Sequence, residues 1–248
     1  MPGTASNRAA ALPAADNSAQ LALEGVSLSI NGSRILDGVS FSVPKGGVTA
    51  LIGRNGAGKT TTLRSIIGLA HATGSIRISG VEVGSWPTYR RIRLGIGYVP
   101  EDRDVFSHLT VKENLQLAEA GPNPRYELVY EIFPELAQRS SQAAGTLSGG
   151  QQQMLAIARV LLGEKALLLI DEPSKGLSPR FVGEMVEALE KVGGGTTVVL
   201  VEQNIHVVKR LAGELVILDQ GRVAHSGPVT DLEDADLVRR LLGVSTGL

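Results

Sequence analysis

Gly53-Arg54-Asn55-Gly56-Ala57-Gly58-Lys59-Thr60 decides how the rest of the chain is read. The run fits G-x-x-x-x-G-K-[ST] and follows an apolar stretch, residues 48–52, that reads as a buried parallel strand. A helix is expected to begin directly after it. In that strand-loop-helix setting the glycines bring backbone N–H groups close to phosphate oxygens, and the helix N-terminus adds partial positive charge. The residues expected around the phosphates are Gly53, Asn55, Gly56, Ala57, Gly58, Lys59, Thr60 and Thr61. Lys59 is placed to reach the β- and γ-phosphates and Thr60 to bind Mg²⁺. A glycine-rich turn without chemistry would match the same pattern, so the neighbouring sequence has to decide.

Further along, Ala166-Leu167-Leu168-Leu169-Ile170-Asp171-Glu172 is an uninterrupted apolar strand ending in two carboxylates. Strand ends meet a phosphate site in this way in open α/β sheets. Asp171 is expected to hold Mg²⁺ through its water shell, and Glu172 to orient or deprotonate an attacking water. The plain alternative is a strand running into an acidic helix cap.

Composition sets limits on both readings. A chain of 248 residues with 43% hydrophobic content can bury a sizeable core without staples. The 24 basic and 25 acidic residues leave a formal charge of −1, which gives no electrostatic case for nucleic acid or for an anionic membrane. With no cysteine there is neither a disulfide framework nor a thiolate metal site. His71, His108, His206 and His225 show no ligand spacing and read as exposed or locally bonded side chains. No apolar run approaches the roughly 20 residues needed to cross a bilayer. Residues 1–20, rich in Ala, Ser, Asn and Pro, are expected to be a disordered tail and make no convincing secretion signal.

Residues 21–43 hold two apolar segments parted by Asn31-Gly32-Ser33, which predicts a hairpin ahead of the strand at 48–52, and residues 74–83 predict a further short antiparallel pair. From Thr110 to Arg139 the pattern turns helical, with Val111, Leu115, Leu117, Leu128, Val129, Ile132, Phe133 and Leu136 assigned to buried faces. Gly121-Pro122-Asn123-Pro124 divides this region into two pieces. Strands at 167–170, 197–201 and 215–218 then alternate with helices at 179–192 and 205–211, the signature of a parallel sheet. Residues 222–248 predict a short strand and a terminal helix.

Taken in order, the phosphate loop, Tyr98-Val99-Pro100-Glu101, Leu147-Ser148-Gly149-Gly150-Gln151, Asp171-Glu172 and Glu202-Gln203-Asn204 resemble the ATP-binding subunit of an ABC transporter over about residues 21–243. The resemblance implies an α/β fold: a P-loop (RecA-like) parallel-sheet core, residues 21–100 and 164–243, with an N-terminal antiparallel β subdomain and an inserted α-helical subdomain at about 101–163, followed by a tail at 244–248. It implies ATP and Mg²⁺ as cofactors and hydrolysis as the activity. Ser148 caps the helix that starts there, and Ser148, Gly149, Gly150 and Gln151 are expected to complete the ATP site of a partner subunit, so that two chains share two sites.

Two stretches are similar to one branch of the family, the second ATPase of branched-chain (hydrophobic) amino-acid importers and their urea, amide and aromatic-acid relatives: residues 98–115, and Val201-Glu202-Gln203-Asn204. That similarity implies a sister ATPase subunit in a heterodimer, or else a homodimer. It further implies separate transmembrane permease subunits docking near residues 105–109, a solute-binding protein acting indirectly, and a position at the cytoplasmic face of the membrane. An exporter ATPase and an ATP-gated clamp on a soluble partner are the competing readings.

Four positions depart from the general family pattern. Glu101 stands where a glutamine usually meets Mg²⁺ and the γ-phosphate; a carboxylate still suits a hard cation but adds negative charge. Gln203 replaces the usual switch histidine and can hydrogen-bond but not become cationic. Ser178 replaces an aspartate expected at the dimer contact. Ile30 occupies the place of an aromatic that stacks on adenine, and stacking of this kind contributes about 1–3 kcal/mol in nucleic-acid systems.

Overall fold

The computed structural model describes residues 19–193 and 195–243. The strands are β1 (Ala19–Ile30), β2 (Ser33–Pro44), β3 (Val48–Gly53), β4 (Thr73–Ile78), β5 (Val81–Glu82), β6 (Ile96–Val99), β7 (Leu167–Asp171), β8 (Thr197–Val201), β9 (Glu214–Asp219) and β10 (Arg222–Pro228). The helices are α1 (Lys59–Ile67), α2 (Thr88–Ile92), α3 (Val111–Gln116), α4 (Tyr126–Ile132), α5 (Pro134–Gln138), α6 (Gly149–Leu161), α7 (Pro179–Gly193), α8 (Ile205–Leu211) and α9 (Ala235–Leu242).

Strand β3 lies at the centre of a six-stranded sheet ordered β10-β9-β3-β8-β7-β6. Its neighbours β8 and β9 run parallel to it, as β7 does to β8 and β6 to β7, while β10 closes the edge antiparallel to β9. A strand covered on both faces has no use for polar residues, and β7 and β8 are buried throughout. Their side chains divide by alternation. Leu168, Ile170, Val198 and Leu200 join the core under α6, α7 and α8. Leu167, Leu169, Val199 and Val201 face the core shared with α1 and the second sheet.

That second sheet is antiparallel, ordered β2-β1-β4-β5. The expected hairpin is β1-β2, with Ile30 opposite Ser33 at its tip, and the expected short pair is β4-β5, with β4 also pairing with β1. Strand β1 begins at Ala19, so Ala19 and Gln20 belong to the sheet and not to the expected tail. Gln20 is buried and its amide donates to the Ser79 hydroxyl at 2.8 Å. Residues 1–18 and 244–248 lie outside the described residues.

Between β6 and β7 the chain forms the helical region. Pro134 splits its second piece into α4 and α5, because a proline has no N–H to continue a helix but fits at the start of one. Leu117, assigned above to a buried face, is 63% exposed. Helix α3 ends at Gln116, and its buried Val111 and Leu115 are four residues apart on one face; two further residues turn the side chain about 200° away from Leu115.

Candidate functional site

The carboxyl ends of β3, β6, β7 and β8 open on one edge of the parallel sheet, and each delivers a candidate site residue there. Such a crevice outside parallel strand ends is where open α/β sheets bind ligands.

After β3 the chain turns at Gly53 with φ 150°, and a Cβ built there would come 2.2 Å from the Leu218 carbonyl oxygen. At Gly58, with φ 101°, a Cβ would stand 2.7 Å from Leu36 Cδ2. Only glycine meets both conditions. Arg54, Asn55 and Gly56 are exposed, whereas Ala57, Gly58 and Lys59 are buried. Helix α1 starts with no side-chain cap and no acidic residue in its first turn, which leaves the N–H groups around Thr60 and Thr61 open to an anion. Lys59 Nζ donates to the Gly53 and Arg54 carbonyls at 3.0 and 3.2 Å, inside the loop it is expected to serve.

Thr60 donates its hydroxyl to Asp171 Oδ1 at 3.1 Å, tying the start of α1 to the end of β7. Asp171 is fully buried, and its Oδ2 has no hydrogen-bond partner. Burial, with the Glu172 and Glu101 charges adding to it and the Thr60 hydrogen bond opposing, pushes the Asp171 carboxyl from 3.8 up to about 6. The hydroxyl of Tyr98, on β6, is likewise buried and unpartnered; burial first and the Asp171 charge second push it up to about 12. A buried carboxylate oxygen left without a partner fits a hydrated divalent cation. Among the described residues no group of three or more His, Cys, Asp or Glu side chains could hold a metal alone. Such an ion would therefore depend on phosphate oxygens for the rest of its shell.

Glu172 has φ 45°, a left-handed conformation uncommon for a residue with a side chain, and its N–H is held by the Val201 carbonyl at 2.9 Å. This sets its carboxylate among three donors. Gln203 Nε2 reaches Oε1 at 2.5 Å, Lys59 Nζ stands 3.6 Å from Oε1, and Lys175 Nζ lies 3.8 Å from Oε2. Glu101, after β6, is paired with Lys175. The loop beyond it is fixed by buried Asn114, whose side chain accepts from Phe106 N–H at 2.9 Å and donates to the Phe106 carbonyl at 3.0 Å. Phe106 itself is 47% exposed.

Ser148 is the N-cap of α6 in a reciprocal box: its Oγ accepts from Gln151 N–H at 3.3 Å, while Gln151 Oε1 accepts from Ser148 N–H at 2.9 Å. Accepting leaves the hydroxyl proton of this exposed serine free to donate. Gly150 is required by packing, since a Cβ there would lie 2.4 Å from the Phe181 ring of α7. Ile30, at the hairpin tip, is 49% exposed, and Ser178 is exposed ahead of α7.

Two residues escaped sequence reasoning. Glu202, read there only as part of a motif, is 2% exposed and accepts from the N–H groups of Ser174, Gln203 and Asn204 at 3.2, 2.8 and 3.2 Å. It binds the turn after Glu172 to the segment carrying Gln203. A carboxylate closing an apolar strand was the available signal. Lys175 gave none, because its partner Glu101 comes from another strand end, that of β6, and only the fold brings it beside the turn that Lys175 shares with Glu172.

A glycine loop feeding a helix beside a strand-end carboxylate pair defines a phosphate-binding α/β domain of the P-loop kind. Comparison with known proteins then places the chain. It belongs to the ABC transporter family, whose model matches residues 36–175. It is 42% identical over 210 residues to the high-affinity branched-chain amino acid transport ATP-binding protein BraG of Pseudomonas aeruginosa, covering 82% of this chain and 90% of that one. It is 37% identical over 215 residues to the probable branched-chain amino acid transport ATP-binding protein LivF of Archaeoglobus fulgidus, covering 84% and 91%. Among solved structures, an ATP-binding subunit of an ABC transporter superposes with a TM-score of 0.74 at 30% identity, covering 92% of this chain and 95% of that one. The ABC ATPase fold and the ATP-binding assignment read from the motifs agree with these findings.

Proposed function

We propose that this chain hydrolyses ATP to power the import of a branched-chain amino acid, or of a urea, amide or aromatic-acid relative, through separate transmembrane permease subunits. The observation that carries the proposal is the gathering of Lys59, Thr60, Asp171, Glu172 and Gln203 at one sheet edge. The printed names of BraG and LivF support the substrate class. Among the described residues no helix is long and apolar enough to cross a membrane, consistent with a pore supplied by partners.

Hydrolysis by such a site is mostly positioning and charge stabilisation. The loop N–H groups and Lys59 hold the β- and γ-phosphates, Lys59 exchanging its carbonyl partners for phosphate oxygens. Thr60 and, through water, Asp171 would hold Mg²⁺, which supplies neutralisation of phosphate charge when bound. Glu172 aligns the attacking water and accepts its proton, and Gln203, already on Glu172, fixes that carboxylate and offers its amide to the γ-phosphate. Ser148 and the N–H groups of Gly149 and Gly150 are open donors for the ATP of a second ATPase subunit, a sister chain or another copy. Exposed Phe106, anchored by Asn114, is the centre of the permease contact, which keeps the chain at the cytoplasmic face of the membrane.

Uptake of radiolabelled leucine by vesicles holding the permease subunits, the sister ATPase and this chain tests the reading. ATP-driven uptake that disappears with Glu172→Gln is expected; uptake unaffected by that substitution would overturn it.

A further inference from the structure

Lys175 carries out none of the steps above, yet it joins two of the strand-end loops. It stands in the turn after β7, where its N–H donates to the Glu172 carbonyl at 3.1 Å. From there its ammonium pairs with Glu101, beyond β6, and lies 3.8 Å from Glu172 Oε2. The Arg103 guanidinium steadies the same turn, donating to the Lys175 carbonyl at 3.5 Å. With Glu101 where a neutral amide would suffice, a carboxylate from beyond β6 stands near the Asp171-Glu172 pair that ends β7, and Lys175 lies between Glu101 and Glu172. Like charges so gathered repel unless a cation stands between them.

We propose that Lys175 is the built-in counter-cation of the nucleotide-free site, a positioning residue that occupies Glu101 and is displaced from it when Mg²⁺ arrives with the nucleotide. The inference rests on the ATPase reading of the site. An ammonium and a divalent ion cannot both claim the same carboxylate oxygens, so Lys175 competes with Mg²⁺ for Glu101 and sets the Mg²⁺ concentration at which the site fills. It also keeps Glu101 and Glu172 drawn together until then, so the two loops part only when the metal nucleotide is in place. The pair is partly open to water, Lys175 being 60% and Glu101 34% exposed, which holds the competition to a few-fold effect.

The test is binding of mant-ATP followed by fluorescence while MgCl₂ is titrated, a reading independent of turnover. Lys175→Met keeps the aliphatic stem and removes the charge; it should lower the half-saturating Mg²⁺ concentration by about two- to fivefold. Lys175→Arg should keep the wild-type midpoint. In a Glu101→Gln background Lys175→Met should shift nothing. An unchanged midpoint for Lys175→Met, or the same shift with Glu101→Gln in place, would overturn the inference while leaving the ATPase reading intact. Failure of the wild-type chain to bind mant-ATP at any Mg²⁺ concentration would overturn both. Thermal unfolding of each nucleotide-free variant serves as the folding check, and a midpoint is compared only between chains that unfold cooperatively.

Discussion

Replacing Asp171 by asparagine should make the nucleotide-free protein more stable at neutral pH. The carboxyl is fully buried, has one oxygen without a partner, and is pushed from 3.8 to about 6. A rise of about two pH units corresponds to roughly 3 kcal/mol. The sign follows from proton linkage. The folded state binds the Asp171 proton more tightly than the unfolded chain, so this contribution favours folding fully below pH 3.8 and is lost as pH rises toward 6. Above about 6 the buried carboxylate is ionised and its whole cost is felt. Asparagine carries no charge, but its amide also needs partners, which offsets about 1–2 kcal/mol. A net gain of about 1–2 kcal/mol at pH 7.5 remains, or roughly 3–6 °C in Tm for a domain of this size. Thermal unfolding of both proteins between pH 4 and 8 is the assay. The gain should shrink steadily below pH 6, and added ATP with Mg²⁺ should reverse the order by stabilising wild type more than the variant. A variant that is less stable at pH 7.5, with a difference flat in pH, would show that Asp171 is not held ionised at a cost until a cation arrives.

Three further expectations come from single contacts. Glu202→Ala removes the acceptor of three N–H groups, so it should cost roughly 2–4 kcal/mol of stability and, by loosening the turn after Glu172, lower ATP turnover more than ATP binding; Glu202→Gln should recover most of both. Gly150→Val drives a side chain into the Phe181 ring and should destabilise by about 1–3 kcal/mol, with Phe181→Ala restoring much of the loss in urea unfolding curves. Ile30→Tyr should tighten ATP binding by about 1–3 kcal/mol and raise the preference for ATP over GTP; unchanged competition between the two nucleotides would remove Ile30 from the base contact.

Local sequence signals carried the reading furthest where one segment contains all that it needs. The strand, loop and helix around Gly53 and Lys59 are contiguous, and the doubly buried β7 and β8 announce themselves by unbroken apolar runs. Helix details were less legible. Leu117 fits an apolar pattern but lies past the end of α3, where the buried face has already turned away. The start of β1 at Ala19 also escaped, since Gln20 is polar and only its bond to Ser79, far along the chain, gives it a reason to be buried. Within the site, the grouping of Glu101, Lys175 and Glu172 depends on the lateral order of β6 and β7, which periodicity does not reveal.

Mg²⁺-dependent ATP hydrolysis measured across protein concentration, for wild type and Glu172→Gln, with and without the sister ATPase, decides whether this chain turns over ATP at a site shared between two subunits. The rate per chain should rise with concentration or with the sister subunit and be abolished by Glu172→Gln. ATP binding without turnover under every condition would contradict this expectation.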